Sequence, residues 1–305
     1  FIACSQVVFD GCFHIDSENP LPNPLVARIM PLASTGMPSG IILTVILVTG
    51  GTGFIGRHLV KSLVESGQEV RILLKPSSES PRFPKGIPVE VAISSLTDIQ
   101  GIKAALKGIS EVYHLAGAER NGTAADLNKV DVEGTITLVN AARQSKLERI
   151  YFLSHYGANR ASAYPVLKAK GLAENWIMGC GVPYTIIRTG AVFGPGDQFT
   201  EPIVRLIKLF APFFLIPGSG ENLVQPVWID DLIHSIALIK DDLKMVNKAV
   251  SIGGIEAIPY RQIIEIIFNK LNRKRWILSI SPAYLRTLSL WVNQLYPKFP
   301  VSIYW

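Results

Sequence analysis

The stretch Thr49-Gly50-Gly51-Thr52-Gly53-Phe54-Ile55-Gly56 decides how this chain folds. Ahead of it runs Gly40-Ile41-Ile42-Leu43-Thr44-Val45-Ile46-Leu47-Val48, apolar and rich in β-branched residues. That run is about half of what a membrane span needs, so residues 44–49 are predicted to form a buried parallel strand. Behind the glycines, residues 55–66 carry a helical pattern. A glycine turn between strand and helix does three things. Gly50 permits the tight turn, Gly53 lets a ligand approach the backbone with no Cβ in the way, and Gly56 lets the helix pack close to the strand. The helix N-terminus then offers free amides and the positive end of its dipole. The anion that fits this geometry is the pyrophosphate of a dinucleotide. Thr52, Phe54, Ile55 and Arg57 stand among and just behind the glycines and belong to the same predicted site.

Working outward, strand-like and helix-like runs alternate. Strands are predicted at 69–74, 89–93, 111–115, 149–154 and 184–188, and helices at 98–106, 124–144 and 163–178. A polar, Pro- and Ser-rich loop falls at 75–85. This rhythm predicts an α/β fold with helices on both faces of a parallel sheet, in the Rossmann-type doubly wound arrangement. After Gly194 the rhythm loosens. Pro195, Gly196, Pro212, Pro217, Gly218 and Gly220 mark loops, with helices at 229–240 and 259–272 and a short strand at 249–252. The expected organisation is an extra N-terminal segment at 1–40, a dinucleotide-binding domain at 41–194, and a small C-terminal substrate lobe at 195–305 interleaved with the sheet edge. Residues 1–36 begin with Phe, hold Pro20, Pro22, Pro24 and Pro31, and show neither clear periodicity nor a signal-peptide pattern. They read as sequence ahead of the folded unit.

The tip of the second strand discriminates between NAD and NADP. An NAD site usually places Asp or Glu there to hold the ribose hydroxyls. Here the strand runs Val70-Arg71-Ile72-Leu73-Leu74-Lys75, followed by Pro76, Ser77 and Ser78, with no carboxylate. Lys75, helped by Arg57 or the serines, is placed to meet a 2′-phosphate, or else is a solvated loop lysine. The balance favours NADP without excluding NAD. His114-Leu115-Ala116-Gly117 ends the fourth strand, where Leu115, Ala116 and Gly117 leave room for the cofactor, and His114 fits packing better than catalysis. Ser95, at the end of the third strand, is placed to touch the adenine.

For chemistry, Tyr164 and Lys168 stand four apart and so share a helix face, while Lys170 lies on the far side. Pro165 is tolerated in a first turn, with Ser162 as the expected N-cap. A phenol becomes a useful acid/base beside a cation, and the lysine and the nicotinamide charge are natural suppliers.

The chain resembles atypical or extended members of the short-chain dehydrogenase/reductase superfamily, the NAD(P)-dependent epimerase/dehydratase type. The resemblance is carried by residues 49–56 and 114–117, Val132-Glu133-Gly134-Thr135, Phe152-Leu153-Ser154, residues 164–168 and 188–190, Val192-Phe193-Gly194-Pro195-Gly196-Asp197 and residues 227–231. Within the superfamily it is most similar to the group resembling the Rossmann-domain accessory subunit of respiratory complex I, whose sheet tip often carries a basic residue and binds NADPH. The resemblance implies that Tyr164 is the general acid/base and that Lys168 holds the ribose and lowers the phenol's pKa. In active relatives a Ser or Thr polarises the substrate carbonyl. That register gives Tyr156 here, so Ser154 is the candidate for the role. Asp131 stands where many relatives have Asn, Thr189 replaces the Pro common after Arg188, and the loop between Ser154 and Tyr164 is shorter than in sugar-nucleotide epimerases.

Composition bounds the rest. Of 305 residues 48% are hydrophobic and 18% charged, enough for a substantial core. The net charge of +6 is mild and spread out, giving no reason to expect a nucleic-acid partner. Three cysteines without a CxxC pair give neither a disulfide framework nor a zinc site, and suggest a reducing, cytoplasmic compartment. Cys180 reads as a small buried residue. Near the C-terminus, Leu288, Trp291, Val292 and Leu295 recur at helical spacing. They predict an amphipathic helix that either packs on the small lobe or touches a partner or membrane periphery. Three functions follow: an NADPH-dependent oxidoreductase or epimerase on a small carbonyl or hydroxyl substrate, a non-catalytic NADPH-binding scaffold or assembly protein of a membrane respiratory complex, or a redox-sensing regulator.

Overall fold

A computed structural model describes residues 45–77, 86–119, 125–209 and 212–295. The expected N-terminal segment, most of the 75–85 loop and residues 296–305 lie outside them. The chain divides into two units, Phe1–Leu43 and Thr44–Trp305, and every described residue belongs to the second.

In chain order the first half is β1 (Val45–Thr49), α1 (Phe54–Glu65), β2 (Glu69–Leu74), β3 (Glu90–Ile93), α2 (Ile99–Ala105), β4 (Ile109–His114), α3 (Gly134–Ala142), β5 (Arg149–His155), α4 (Pro165–Met178) and β6 (Tyr184–Thr189). The second half is β7 (Val192–Phe193), α5 (Thr200–Leu209), β8 (Phe213–Pro217), β9 (Leu223–Val224), β10 (Val227–Trp228), α6 (Ile229–Asp241), β11 (Lys248–Ile252), β12 (Ile258–Pro259), α7 (Tyr260–Lys270), β13 (Trp276–Ile280) and α8 (Pro282–Leu295).

Seven strands form one parallel sheet in the order β11-β6-β5-β4-β1-β2-β3. This is the expected doubly wound α/β arrangement. Period-two alternation explains its two cores. Ile46 and Val48 of β1 and Tyr151 of β5 point to one face, where they pack on α1 and α6 through Leu59, Val60, Leu232 and Ile236. Leu47, Ile150 and Phe152 point to the other, onto α2, α3 and α4 through Ile102, Leu138, Ala173 and Ile177. The chain runs outward from β1 to β3 and then crosses to β4 on β1's other side. The carboxyl ends of β1 and β4 therefore flank the switch-point crevice in which doubly wound folds bind ligands.

Three details differ from the sequence reading. Residues 128–133 take π-helical geometry and run directly into α3, so the expected long helix is present but widened in its first part. Tyr164, not Ser162, occupies the N-cap of α4. Ser162 instead accepts the Tyr164 N–H at its Oγ (3.1 Å). The stretch read as loops after Gly194 holds α5, whose N-terminus is capped by buried Asp197. One Asp197 oxygen accepts the N–H groups of Phe199, Thr200 and Glu201 at 2.7–3.0 Å. A third core gathers Ile203 and Ile207 of α5, Phe214 and Ile216 of β8, and Ile263, Ile264 and Ile267 of α7.

Candidate functional site

The glycine turn closes as the sequence demands. Gly50 has φ +72°, and its carbonyl accepts the Gly53 N–H at 3.0 Å. A Cβ on Gly50 would lie 2.7 Å from the Ala116 nitrogen, and one on Gly56 only 2.1 Å from the Gly50 carbonyl oxygen. The turn thus rests directly on the loop after β4, which brings Leu115, Ala116 and Gly117 to it. The Leu115 N–H donates to the Thr49 carbonyl (3.1 Å).

Gly53 caps α1 with no side-chain hydrogen bond, and the first turn holds no acid. That leaves the helix amides and dipole for an anion. Phe54 and Ile55 bury their side chains in the core, so only their backbone faces the crevice. Thr52 is half-buried beside them. A pyrophosphate fits this turn: the amides are uncapped, and the glycines let the turn, α1 and the β4 loop close on one another.

At the tip of β2, Lys75 is exposed and makes no ion pair with any described residue. No carboxylate stands in the described part of the tip. Arg57 is less available than its position suggests. One of its terminal nitrogens donates to the carbonyls of Pro195 (3.2 Å) and Gly196 (2.9 Å), tying the loop after β7 to α1. Ser95 is half-buried at the end of β3, with its Oγ 2.9 Å from Thr97 Oγ1.

Beneath the β4 loop lies a buried polar layer. Asp131 and Lys170 form an ion pair of 3.0 Å with both side chains almost fully enclosed. Asp131 Oδ2 accepts the Ala118 N–H (2.9 Å), which fixes the loop from below. His114 is fully buried. Its Nε2 lies 3.0 Å from Thr135 Oγ1, which itself donates to the Asp131 carbonyl (2.6 Å). Nε2 must therefore carry the proton, and Nδ1 accepts from Thr49 Oγ1 (2.6 Å). Burial, followed by the Lys170 charge, pulls the His114 pKa down to about 3, so the ring is neutral at physiological pH. His114 is a strut between β1, β4 and the first turn of α3.

The expected catalytic residues are placed differently from one another. Tyr164 is 70% exposed and Lys168 is exposed too. They share a face, but it is the solvent face of α4. The buried face carries Ala169, Lys170, Ala173, Glu174 and Ile177. Ser154 is buried, and its Oγ donates to Glu174 Oε1 (2.6 Å). Arg188 grips both Glu174 oxygens (2.9 and 2.6 Å). Orienting a carbonyl requires the hydroxyl proton, and Ser154 gives that proton to Glu174. In the family register, Tyr156 lays its ring against Gly190 and its hydroxyl near Gly253 and Gln225. Burial raises its pKa, so it stays protonated. His155, the last residue of β5, holds Glu119 at 2.7 Å.

Lys170, Glu174 and the Asp131 partnership were missed in the sequence. The available signal was the i, i+4 stripe of Lys170 and Glu174 among Ala169, Ala173 and Ile177.

A doubly wound parallel sheet with an uncapped glycine turn at its switch point defines a dinucleotide-binding protein. The family model described as "NAD dependent epimerase/dehydratase family" matches residues 46–253, and the chain belongs to that family. It is 36% identical to sterol demethylase protein B of Methylococcus capsulatus over 83% of this chain and 82% of that protein. It is 30% identical to the mitochondrial NADH dehydrogenase (ubiquinone) 1 alpha subcomplex subunit 9 of Arabidopsis thaliana, over 77% of this chain, and spans only 59% of that relative. Among solved structures, UDP-glucose 4-epimerase of Thermotoga maritima with UDP-glucose shares the fold. Its TM-score is 0.65 at 21% identity, covering 78% of this chain and 86% of that one. Among the described residues no cluster of His, Cys, Asp or Glu is arranged to hold a metal, and no helix is long and apolar enough to cross a membrane.

Proposed function

We propose that the chain binds NADPH and serves as an oxidoreductase on a ketone or secondary alcohol borne by a lipid-like molecule. The observation that carries the cofactor reading is the uncapped N-terminus of α1 facing the β4 loop, with Lys75 and no acid at the described tip of β2. The substrate class draws on the sterol-processing name of the bacterial relative, which the chain spans over most of its length. A bound nicotinamide supplies the hydride. This chain's own residues hold the pyrophosphate with the Gly50–Gly56 amides, hold the 2′-phosphate with Lys75, and brace the crevice floor through Asp131 and Lys170. Tyr164, backed by Lys168, is the proposed proton donor. No described residue bonds its hydroxyl. Ser154 is left out of this role because of its bond to Glu174. The same reading places the protein in a reducing compartment, at the periphery of a membrane through its C-terminal segment.

NADPH is expected to bind more tightly than NADH. A charge-assisted contact to the phosphate is worth about 1.5–3 kcal/mol, so Lys75→Ala should narrow the preference roughly tenfold or more. Calorimetric titration of both cofactors checks this, and equal affinities in the unmodified protein would refute the NADP assignment.

For chemistry, the purified protein is mixed with NADPH and a panel of ketones including a 3-ketosteroid, and NADPH absorbance is followed. Turnover is expected, and Tyr164→Phe should lower it by about 100-fold or more. Unchanged turnover in that variant would move the proton donor elsewhere. Two observations favour a second reading. Val166 stands four residues before the buried lysine, and Ser154 is tied to Glu174. A chain so built could bind NADPH as a structural group in a larger complex. Tight NADPH binding without turnover on any ketone would support that reading.

A further inference from the structure

Strands β8 and β13 pair in parallel with Phe213 opposite Trp276 and Leu215 opposite Leu278. Side chains alternate across a strand, so these four share one face. Phe214 and Ile216 take the other face and bury themselves against α7. The four outward residues are all exposed, Trp276 at 68%, and the Phe213 and Trp276 rings lie 5.4 Å apart. One residue after β13, α8 begins. None of its described side chains is buried. At about 100° per residue, Tyr284, Leu285, Leu288, Trp291 and Val292 fall in a stripe roughly 120° wide, flanked by Thr287 and Ser289, with Arg286, Gln294 and the apolar Leu290 on the opposite side. Tyr284 is 72% exposed and Trp291 64%. The helix was expected to pack on the small lobe or to touch a partner or membrane; Leu285 and Val292 are half-buried, while Tyr284, Leu288 and Trp291 stay exposed. The charge is one-sided as well. After Glu265 the sequence holds no Asp or Glu, yet it holds Lys270, Arg273, Lys274, Arg275, Arg286 and Lys298. Arg273, Lys274 and Arg275 directly precede Trp276.

We propose that the outer face of the β8–β13 ribbon and the apolar stripe of α8 form a docking surface for an anionic lipid bilayer, resting on the reading of the chain as a peripheral oxidoreductase with a lipid-like substrate. The charge selects the occupant. An acid-free tract with cations beside exposed aromatics complements anionic headgroups over an apolar layer. Trp and Tyr favour that boundary because one end of each ring is apolar and the other polar. The stripe on α8 is too short to cross a bilayer and lies along its surface. The arrangement brings the small lobe to the membrane, where a lipid-like substrate would be found.

The test is flotation of the full chain with vesicles of phosphatidylcholine alone and of phosphatidylcholine mixed with phosphatidylserine. Flotation is expected with the mixed vesicles only, and should fall as salt rises. Trp276→Ser with Trp291→Ser should cut the bound fraction at least tenfold, and so should replacement of Arg273, Lys274 and Arg275 by Gln. Trp276, Trp291, Arg273 and Lys274 are exposed and Arg275 is half-buried, and thermal unfolding with NADPH titration of each variant should match the unmodified chain. Equal flotation with both vesicle types overturns the anionic selection, and no flotation with either overturns the docking surface. A dimer in sedimentation that Trp276→Ser breaks, without flotation, gives the face to a second copy. Failure of the unmodified chain to bind NADPH strikes the oxidoreductase reading instead, whatever the vesicles show.

Discussion

Replacing Gly56 by alanine should weaken NADPH binding by roughly 100-fold or more and destabilise the fold. The added carbon would lie 2.1 Å from the Gly50 carbonyl oxygen and 2.8 Å from the Gly51 Cα. Ordinary contact begins near 3.4 Å, so α1 must back away from the turn by about an ångström. Both obstacles are backbone, so no side chain can rotate aside. Overpacking of this kind costs about 1–3 kcal/mol, occasionally more. The functional loss is larger, because the amides that cradle a pyrophosphate sit on the part that moves. Losing two charge-assisted hydrogen bonds of about 1.5–3 kcal/mol each weakens binding by roughly 100-fold or more. Gly67→Ala is the control. It has φ +80°, but its Cβ would meet nothing within 4 Å. It should cost only backbone strain of about 1–2 kcal/mol and leave NADPH affinity intact. Calorimetry and thermal unfolding of both variants decide the matter. If Gly56→Ala binds NADPH as tightly as the unmodified chain, the turn does not hold the cofactor.

What the sequence could disclose followed from chain geometry. The run around Ile46, Leu47 and Val48 is apolar at every position because both faces of β1 are covered, and a strand–glycine–helix junction has few structural alternatives. What it concealed were facts of burial. Pro202 suggests a break, but it sits in the first turn of α5, where proline costs nothing. The pattern of Ile203 and Ile207 behind it was the usable signal. Pro212, Pro217 and Gly218 hid β8, whose partner β13 lies far along the chain. The catalytic motif shows the limit most clearly. Tyr164 with Lys168 and Lys170 with Glu174 are both i, i+4 pairs on one helix, so spacing cannot rank them. The small and apolar residues around the second pair mark the face that packs on the sheet, and that face holds the ions.

The two lysines of α4 should therefore differ sharply when each is replaced by methionine. Lys168 is exposed and without an ion pair among the described residues, so Lys168→Met should change stability by less than about 0.5 kcal/mol. Lys170 is different, because its ammonium is the counter-charge of a buried carboxylate. Removing one member of such a pair leaves the other charged and out of water, at a cost of about 3–5 kcal/mol. For a chain of this size that lowers the thermal midpoint by roughly 10 °C. Asp131 would keep only the Ala118 N–H, and the loop carrying Leu115, Ala116 and Gly117 would lose its support. NADPH affinity should fall with stability, roughly tenfold. The double variant Asp131→Asn with Lys170→Met separates charge from packing. The amide oxygen can still accept the Ala118 N–H, no charge remains buried, and methionine fills much of the lysine's volume against Phe152, over whose ring the ammonium sits at 5.3 Å. Most of the lost stability should return. Urea unfolding of the single and double variants measures each difference. Equal stability of Lys168→Met and Lys170→Met would refute the buried pair as a support of the cofactor loop. Failure of the double variant to recover would show that the lysine acts through its shape, not its charge.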